Sequence, residues 1–288
     1  MDLQPRQVLQ TVEPQPVIEG AGVKLKRSIA TSRLNYVDPF LLFDHFGSDN
    51  PDDYLAGFPM HPHRGIETVT YMLAGAVQHR DSIGNSGIIE AGDVQWMTAG
   101  GGIMHEEMPQ PRQGQMGGFQ LWVNLPAKFK MTRPRYQEIP LAQIPEIKRE
   151  DGVAIRVIAG TVDDVRGPVT EIVADPTYLD VSIPANASFV HSIEKGHAAI
   201  AYVFEGQGTF GITPEGGGET VPHPKLVVFE DGDYIEVRTA GQAVRFLLIS
   251  GKPLYEPIAR YGPFVMNTRA EIEQALRDLQ NGTFVKQG

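Results

Sequence analysis

Three landmarks recur in the same order along this chain, and that recurrence limits the fold more than any other feature. The run TYMLAGA reaches Gly75–Ala76, and AYVFEGQ puts Gly206 in the equivalent place. A Gly-Asp pair then opens a second run in each case, Gly92-Asp93 in GDVQWMTAG and Gly232-Asp233 in GDYIEVRTAG. Both runs reach Thr-Ala-Gly, at Thr98–Gly100 and Thr239–Gly241, and both continue into an apolar segment, FQLWVNLP and VRFLLISGKP. Separations of roughly 130–140 residues lie far beyond solenoid periods of about 20–50, so the chain holds two copies of one β domain. The join is expected in the Pro-punctuated stretch IPLAQIPEIKREDG, which gives an N-terminal domain over 1–145 and a C-terminal domain over 146–288.

The class of domain follows from the runs themselves. ETVTYML, VAIRVIAG, YLDVSI, KLVVFE and DYIEV are short, rich in β-branched and aromatic residues, and bounded by turn residues. That pattern predicts an all-β sandwich or barrel. One segment departs from it: in TRAEIEQALRDLQNG, Ile272, Ala275, Leu276 and Leu279 share a helical face. Thr268 and Glu271 have capping-box spacing and Gly282 follows, so a C-terminal helix is expected there.

Composition excludes several chemistries. There are no cysteines, which removes disulfides, thiolate metal sites, iron–sulfur clusters and Cys nucleophiles together. Lys plus Arg is 25 against 35 Asp plus Glu, a formal charge of −10, which opposes direct binding to a phosphate backbone. The first twenty residues carry Asp2, Glu13 and Glu19 and no apolar core, so no signal peptide is expected. No apolar run approaches the roughly 18–20 residues that span a bilayer. A cytoplasmic protein without nucleic-acid or membrane partners is the resulting expectation, and a monomer.

The two copies differ in one respect: only the first has clustered histidines. In HPHRGIE, residues 61–67, strand alternation projects His61 and His63 together with Pro62 turned away. Farther on, TAGGGIMHEEMP puts His105 and Glu107 on one face, after Gly100, Gly101 and Gly102 that let the backbone turn tightly. If these segments pair as antiparallel neighbours in a barrel, three imidazoles and one carboxylate share its interior. Such a donor set suits Fe(II), Mn(II), Ni(II) or Zn(II), with positions left for water or substrate. A lone histidine in a β core is ordinarily a hydrogen-bonded structural residue. H-x-H together with H-x-E, in a duplicated β chain, is what turns the reading toward a metal.

These stretches resemble the pirin family. DPFLLFDHFG (Asp38 to Gly47) is similar to its N-terminal signature, HPHRGIETVTY to its first cupin motif, and GDVQWMTAGGGIMHEEMP to its second. GFQLWVNLP with PRYQEI continues the match, and GPFVMNT (Gly262 to Thr268) leads into the helix, so the resemblance runs nearly end to end. It implies an all-β bicupin: two stacked cupin-type β-barrels with a C-terminal helix, and a mononuclear metal in the N-terminal barrel only. The second barrel is then a degenerate copy. Pirin ligands are the two His of HPH, the His of the second motif and the Glu two residues later, which here are His61, His63, His105 and Glu107.

Other candidates are assigned elsewhere. In many cupins the Glu of H-x-H-x3-E is a ligand, but on a straight strand Glu67 lies about 13 Å from His63, out of reach unless Arg64–Gly65 turns. Because pirins use the later Glu, present here as Glu107, the resemblance gives Glu67 a supporting or structural place, and Glu106 is expected to face solvent. His45 has no partner at i±2. His79 and His223 read as isolated residues in polar loops. His191 and His197, six apart, make no H-x-H. Phe119, Leu121 and Val123 read as core, with Gln120 and Trp122 on the opposite face.

The resemblance implies one divalent transition metal, iron(II) foremost with manganese, nickel or zinc as alternatives. It also implies quercetin 2,3-dioxygenase activity on a flavonol-like aromatic substrate with O2, Glu107 taking the substrate hydroxyl proton. The alternative is a metal-dependent protein-interaction module, a co-regulator of transcription or metabolism, whose acidity favours a basic partner surface. A third reading is a structural barrel whose metal only adds stability.

Overall fold

The computed structural model describes residues 3–110, 114–213 and 216–285, and its regular structure is almost wholly antiparallel strand. It divides into two compact units, and the division departs from the expected one at both ends of the chain. One unit comprises Gln15–Leu141 with Leu254–Gly288, the other Met1–Pro14 with Ala142–Pro253. The internal join at 141/142 falls in the predicted stretch. The terminal segments are exchanged, so the 1–145 and 146–288 boundaries are corrected.

The first unit has a seven-stranded and a four-stranded sheet. The larger runs in the order Arg135–Ile139, Val94–Thr98, Ile66–Ala74, Met116–Asn124, Phe40–Ser48, Val23–Ile29, Gln15–Glu19. The smaller runs Phe58–His63, Ile103–Pro109, Ala76–Asp81, Ser86–Glu90. Strand periodicity sorts the residues of Met116–Asn124: Phe119, Leu121 and Val123 are fully buried, whereas Gln120 and Trp122 face the other way and are half-buried.

The C-terminal segment belongs to this same unit. The helix Arg269–Gln280 starts at Thr268 with the predicted capping box to Glu271 and buries Ile272 and Ala275. It packs on the hairpin Ala259–Tyr261/Phe264–Met266. Arg64, next to His63, is fully buried; it donates to Asp278 at 2.7 Å, and its guanidinium lies 4.4 Å from the centroid of the Phe284 ring. A buried arginine needs such a partner, and the nearest acid is on this helix. The helix is therefore part of the N-terminal barrel, not of the C-terminal one as expected. Between the strands Phe58–His63 and Ile66–Ala74 the chain passes Gly65 at φ +82°, where an added Cβ would meet the Val265 carbonyl oxygen. Only glycine fits there.

In the second unit the strand Val8–Val12 pairs antiparallel with Lys225–Phe229, which pairs on its other side with Ala198–Phe210. The N-terminal strand thus covers an edge that would otherwise offer unpaired backbone. This interior is filled: Leu179, Val181, Phe189, Phe210, Phe246 and Leu248 are all buried within one apolar cluster. No helix among the described residues is long and apolar enough to cross a membrane.

Candidate metal centre

The strands Phe58–His63 and Ile103–Pro109 are antiparallel neighbours, with His105 directly opposite His61 and Ile103 opposite His63. Alternation on each strand and this register together bring three imidazoles to one place. The ligand atoms of His61, His63 and His105 all lie within 4.8 Å of one another. A register shift between His105 and Glu107 puts Glu107 opposite Phe58. Its carboxylate accordingly comes within 4.8 Å of His105 and His79 rather than forming one tight group with His61 and His63.

The donor atoms can be identified. His61 Nδ1 lies 2.9 Å from the Pro59 carbonyl oxygen, which can only accept, so Nδ1 carries the proton and Nε2 is left with its lone pair. That Nε2 is 3.1 Å from His63 Nε2. His105 is 1 % exposed, and neither of its ring nitrogens has a hydrogen-bond partner. Buried polar atoms are normally satisfied, so this pair of orphans marks a place for a ligand. Burial, with neighbouring imidazoles as the second cause, holds His63 and His105 well below the ordinary histidine range. Both are neutral, the form that ligates a cation. Two nitrogens about 3 Å apart also match adjacent donors at bonds of ~2.1 Å to a first-row cation. The residues fit a metal.

A cavity of about 490 Å³ opens beside this cluster. His61, His63, Thr70, Glu107, Gln120 and Trp122 line it, and Val23, Leu25, Phe46 and Phe58 supply apolar wall. Trp122 meets the His63 ring edge-on at 5.1 Å. Thr70 Oγ1 lies 3.0 Å from Glu107 Oε1 and 2.9 Å from the Gln120 side-chain amide. A hydroxyl has one proton, so Thr70 can donate to Glu107 Oε1 or to Gln120 Oε1, one at a time. The cavity therefore presents metal-type donors at one end, an oriented carboxylate beside them, and an apolar body, the composition of a small-molecule site.

Several residues depart from the expected picture. His79 does not sit in a polar loop: it lies on the strand Ala76–Asp81 and is fully buried. Its Nδ1 accepts from Gln95 at 2.8 Å, its Nε2 faces Asp81 at 3.4 Å, and its ring stacks on Tyr136 and lies 5.4 Å from that of His105. Both nitrogens are engaged, so His79 supports the cluster. Its signal was the alternation of AVQHRD, in which His79 and Asp81 occupy buried positions. Glu106 donates no ligand; it pairs with Arg80 across the strands at 2.8 Å. Gly65 does make the turn that could have brought Glu67 to the histidines. Glu67 instead accepts from Trp96 Nε1 at 3.2 Å and Thr98 Oγ1 at 2.7 Å. Burial raises its pKa, partly offset by those two donors. His45 packs on Phe119.

In the other unit His191 stacks beside Phe189, while His197 is 3.5 Å from Glu194. His197, Glu194 and Asp175 approach one another, but both acids are exposed and His191 is not among them.

Two β domains of this type in one chain, with three histidines gathered beside a cavity in only one of them among the described residues, define a bicupin. Comparison with known proteins gives the family. Residues 22–123 match the description "Pirin" and residues 178–285 "Pirin C-terminal cupin domain". A protein of Pseudomonas aeruginosa named "Putative quercetin 2,3-dioxygenase PA3240" is 46% identical over 281 residues, covering 96% of this chain and 97% of that protein. The crystal structure of a quercetin 2,3-dioxygenase from Acinetobacter baumannii superposes with a TM-score of 0.88 at 34% identity, covering 98% of this chain and 99% of the other. The Escherichia coli pirin YhhW, crystallised in complex with nickel(II), has the same fold at 20% identity and a TM-score of 0.66, covering 85% of this chain and 99% of that one. The chain belongs to the pirin family.

Proposed function

We propose that His61, His63, His105 and Glu107 hold one divalent transition metal, iron(II) foremost, and that the protein is a dioxygenase of flavonols of the quercetin type. The observation that carries this reading is His105: both of its ring nitrogens are buried and unpartnered, beside two imidazoles that line a cavity. The similarity to proteins named for quercetin 2,3-dioxygenase supports the choice of substrate and O2.

A bound divalent metal supplies Lewis acidity that eases ionisation of a coordinated hydroxyl and positions for a second oxygen ligand. The chain's own residues do the rest. Pro59 fixes the tautomer of His61. Thr70 holds one oxygen of Glu107, leaving the carboxylate aimed to take the hydroxyl proton of an aromatic substrate. Trp122 and the apolar wall exclude water from the ring that faces the histidines.

The test is O2 consumption by protein loaded anaerobically with iron(II) and then given quercetin. Uptake well above that of free iron supports the reading. Uptake no greater than free iron, with metal retained, would sink the dioxygenase and favour the interaction module.

A further inference from the structure

The cavity has two arginines, and they are not in the same state. Arg27 is neutralised: it donates to both oxygens of Asp44 at 2.8 and 2.7 Å and to Glu19 at 2.7 Å. Arg260 lines the same cavity and has no ion pair among the described residues. One of its terminal nitrogens donates to the Leu41 carbonyl at 3.2 Å, and its Nε reaches the Gly262 carbonyl at 3.4 Å. The guanidinium is thereby held in place while its remaining donors stay available. It lies 4.9 Å from the Trp122 ring centroid, and Trp122 lies 5.1 Å from His63. Cation, indole and imidazole thus stand in series, the cation at the exposed end and the histidine at the buried one.

We propose that Arg260 is a specificity-determining residue of this cavity, taking a carboxylate or sulfonate at the far end of a flat aromatic substrate whose near end faces His61 and His63. The inference rests on the dioxygenase site proposed above, whose occupant it narrows to an anionic aromatic. An arginine fork matches a carboxylate or sulfonate in shape and charge, and a carbonyl-anchored one loses little freedom on binding it. The apolar wall between the two ends suits the ring system and little else. A purely structural Arg260, balancing the negative Asp44–Glu19 pair, would leave ligand charge without effect.

The experiment measures dissociation constants without oxygen, on metal-loaded protein, by quenching of tryptophan fluorescence. The ligands are 3-hydroxyflavone and its 4′-carboxylate, which differ only at the end remote from the hydroxyketone. At low salt the carboxylate should bind about tenfold more tightly, a preference that shrinks with ionic strength. In Arg260→Gln the two constants should agree within about twofold, while Arg260→Lys should keep part of the preference. Equal binding by the unmodified protein, an unchanged preference in Arg260→Gln, or no binding of either flavone would each overturn the proposal. A charge preference without any turnover once O2 is admitted would instead leave Arg260 its place and remove the dioxygenase.

Discussion

The Nε2 atoms of His61 and His63 lie 3.1 Å apart, although residues two apart on a strand are separated by about 7 Å along the backbone. The side chains lean toward each other, with Pro62 on the opposite face. Two imidazole nitrogens at that distance share either a proton or a cation. Pro59 leaves His61 Nε2 without a proton. A shared proton would then have to sit on His63 Nε2, whereas a shared cation uses both lone pairs.

Metal content follows from this arrangement. Protein purified without chelator should carry one equivalent of transition metal per chain by elemental analysis. His61→Ala with His63→Ala should lose nearly all of it, while His191→Ala and His197→Ala should retain it. Two equivalents in the unmodified protein, or retention in the first variant, would refute the assignment of the four ligands.

Glu107 and Thr70 should behave as a unit. Glu107→Gln keeps the shape but cannot take a proton, so turnover of quercetin should fall by about 10²-fold or more while metal is retained. Thr70→Val removes the donor to Oε1 and should cost a smaller factor, on the order of tenfold, without changing metal content. Full activity in Glu107→Gln would show that the carboxylate is not the base, and full activity in Thr70→Val that Thr70 does not position it.

Lys130 offers a prediction about stability. It is 1 % exposed and donates to the carbonyls of Gly65 and Val265, both at 2.9 Å, and to Asn124 Oδ1 at 2.7 Å. One ammonium therefore ties the turn after the HPH strand to the C-terminal hairpin. Lys130→Met removes the ammonium from Asn124 Oδ1 and the Val265 carbonyl and leaves the Gly65 carbonyl only the Leu125 N–H at 3.4 Å, and it should lower stability by about 3 kcal/mol in urea unfolding. A loss under about 1 kcal/mol would mean that water replaces the lysine there.

His191 makes the other barrel sensitive to acid. Burial first, and the nearby Arg149 cation second, push its pKa down from 6.5 to about 4. Between those values the unfolded chain binds the proton more readily than the folded one. Its contribution to stability is complete above pH 6.5 and declines as pH falls toward 4. His191→Asn should shrink the drop in urea midpoint between pH 7 and pH 5. An unchanged drop would place the acid sensitivity elsewhere.

The convergence of the histidines was legible because strand alternation has a period of two and survives any detail of the fold: the H-x-H and H-x-E strands needed only to be neighbours, and they are. The helix was legible because Thr268 and Glu271 cap it locally. His79 was not, because the buried positions of AVQHRD hold a histidine and an aspartate, and polarity hid the strand. Glu107's displacement toward His79 depends on a register shift, which no local pattern marks. The exchanged termini were equally invisible. Val8–Val12 earns its place only by pairing with residues more than two hundred positions away.

That exchange also sets an order of assembly. The barrel whose histidines come first along the chain draws its helix and the Arg260–Pro263 side of its cavity from residues synthesised after the bulk of the other unit. On the ribosome both sheets of this barrel can form before the other unit is made, but its hairpin and helix reach it only afterwards, contrary to the usual rule that the earlier domain is finished first. A fragment cut at residue 145 would leave the Arg64 guanidinium without Asp278 and the cavity without one side. The unit that holds the histidine cluster is thus completed only after the bulk of the other unit has been made.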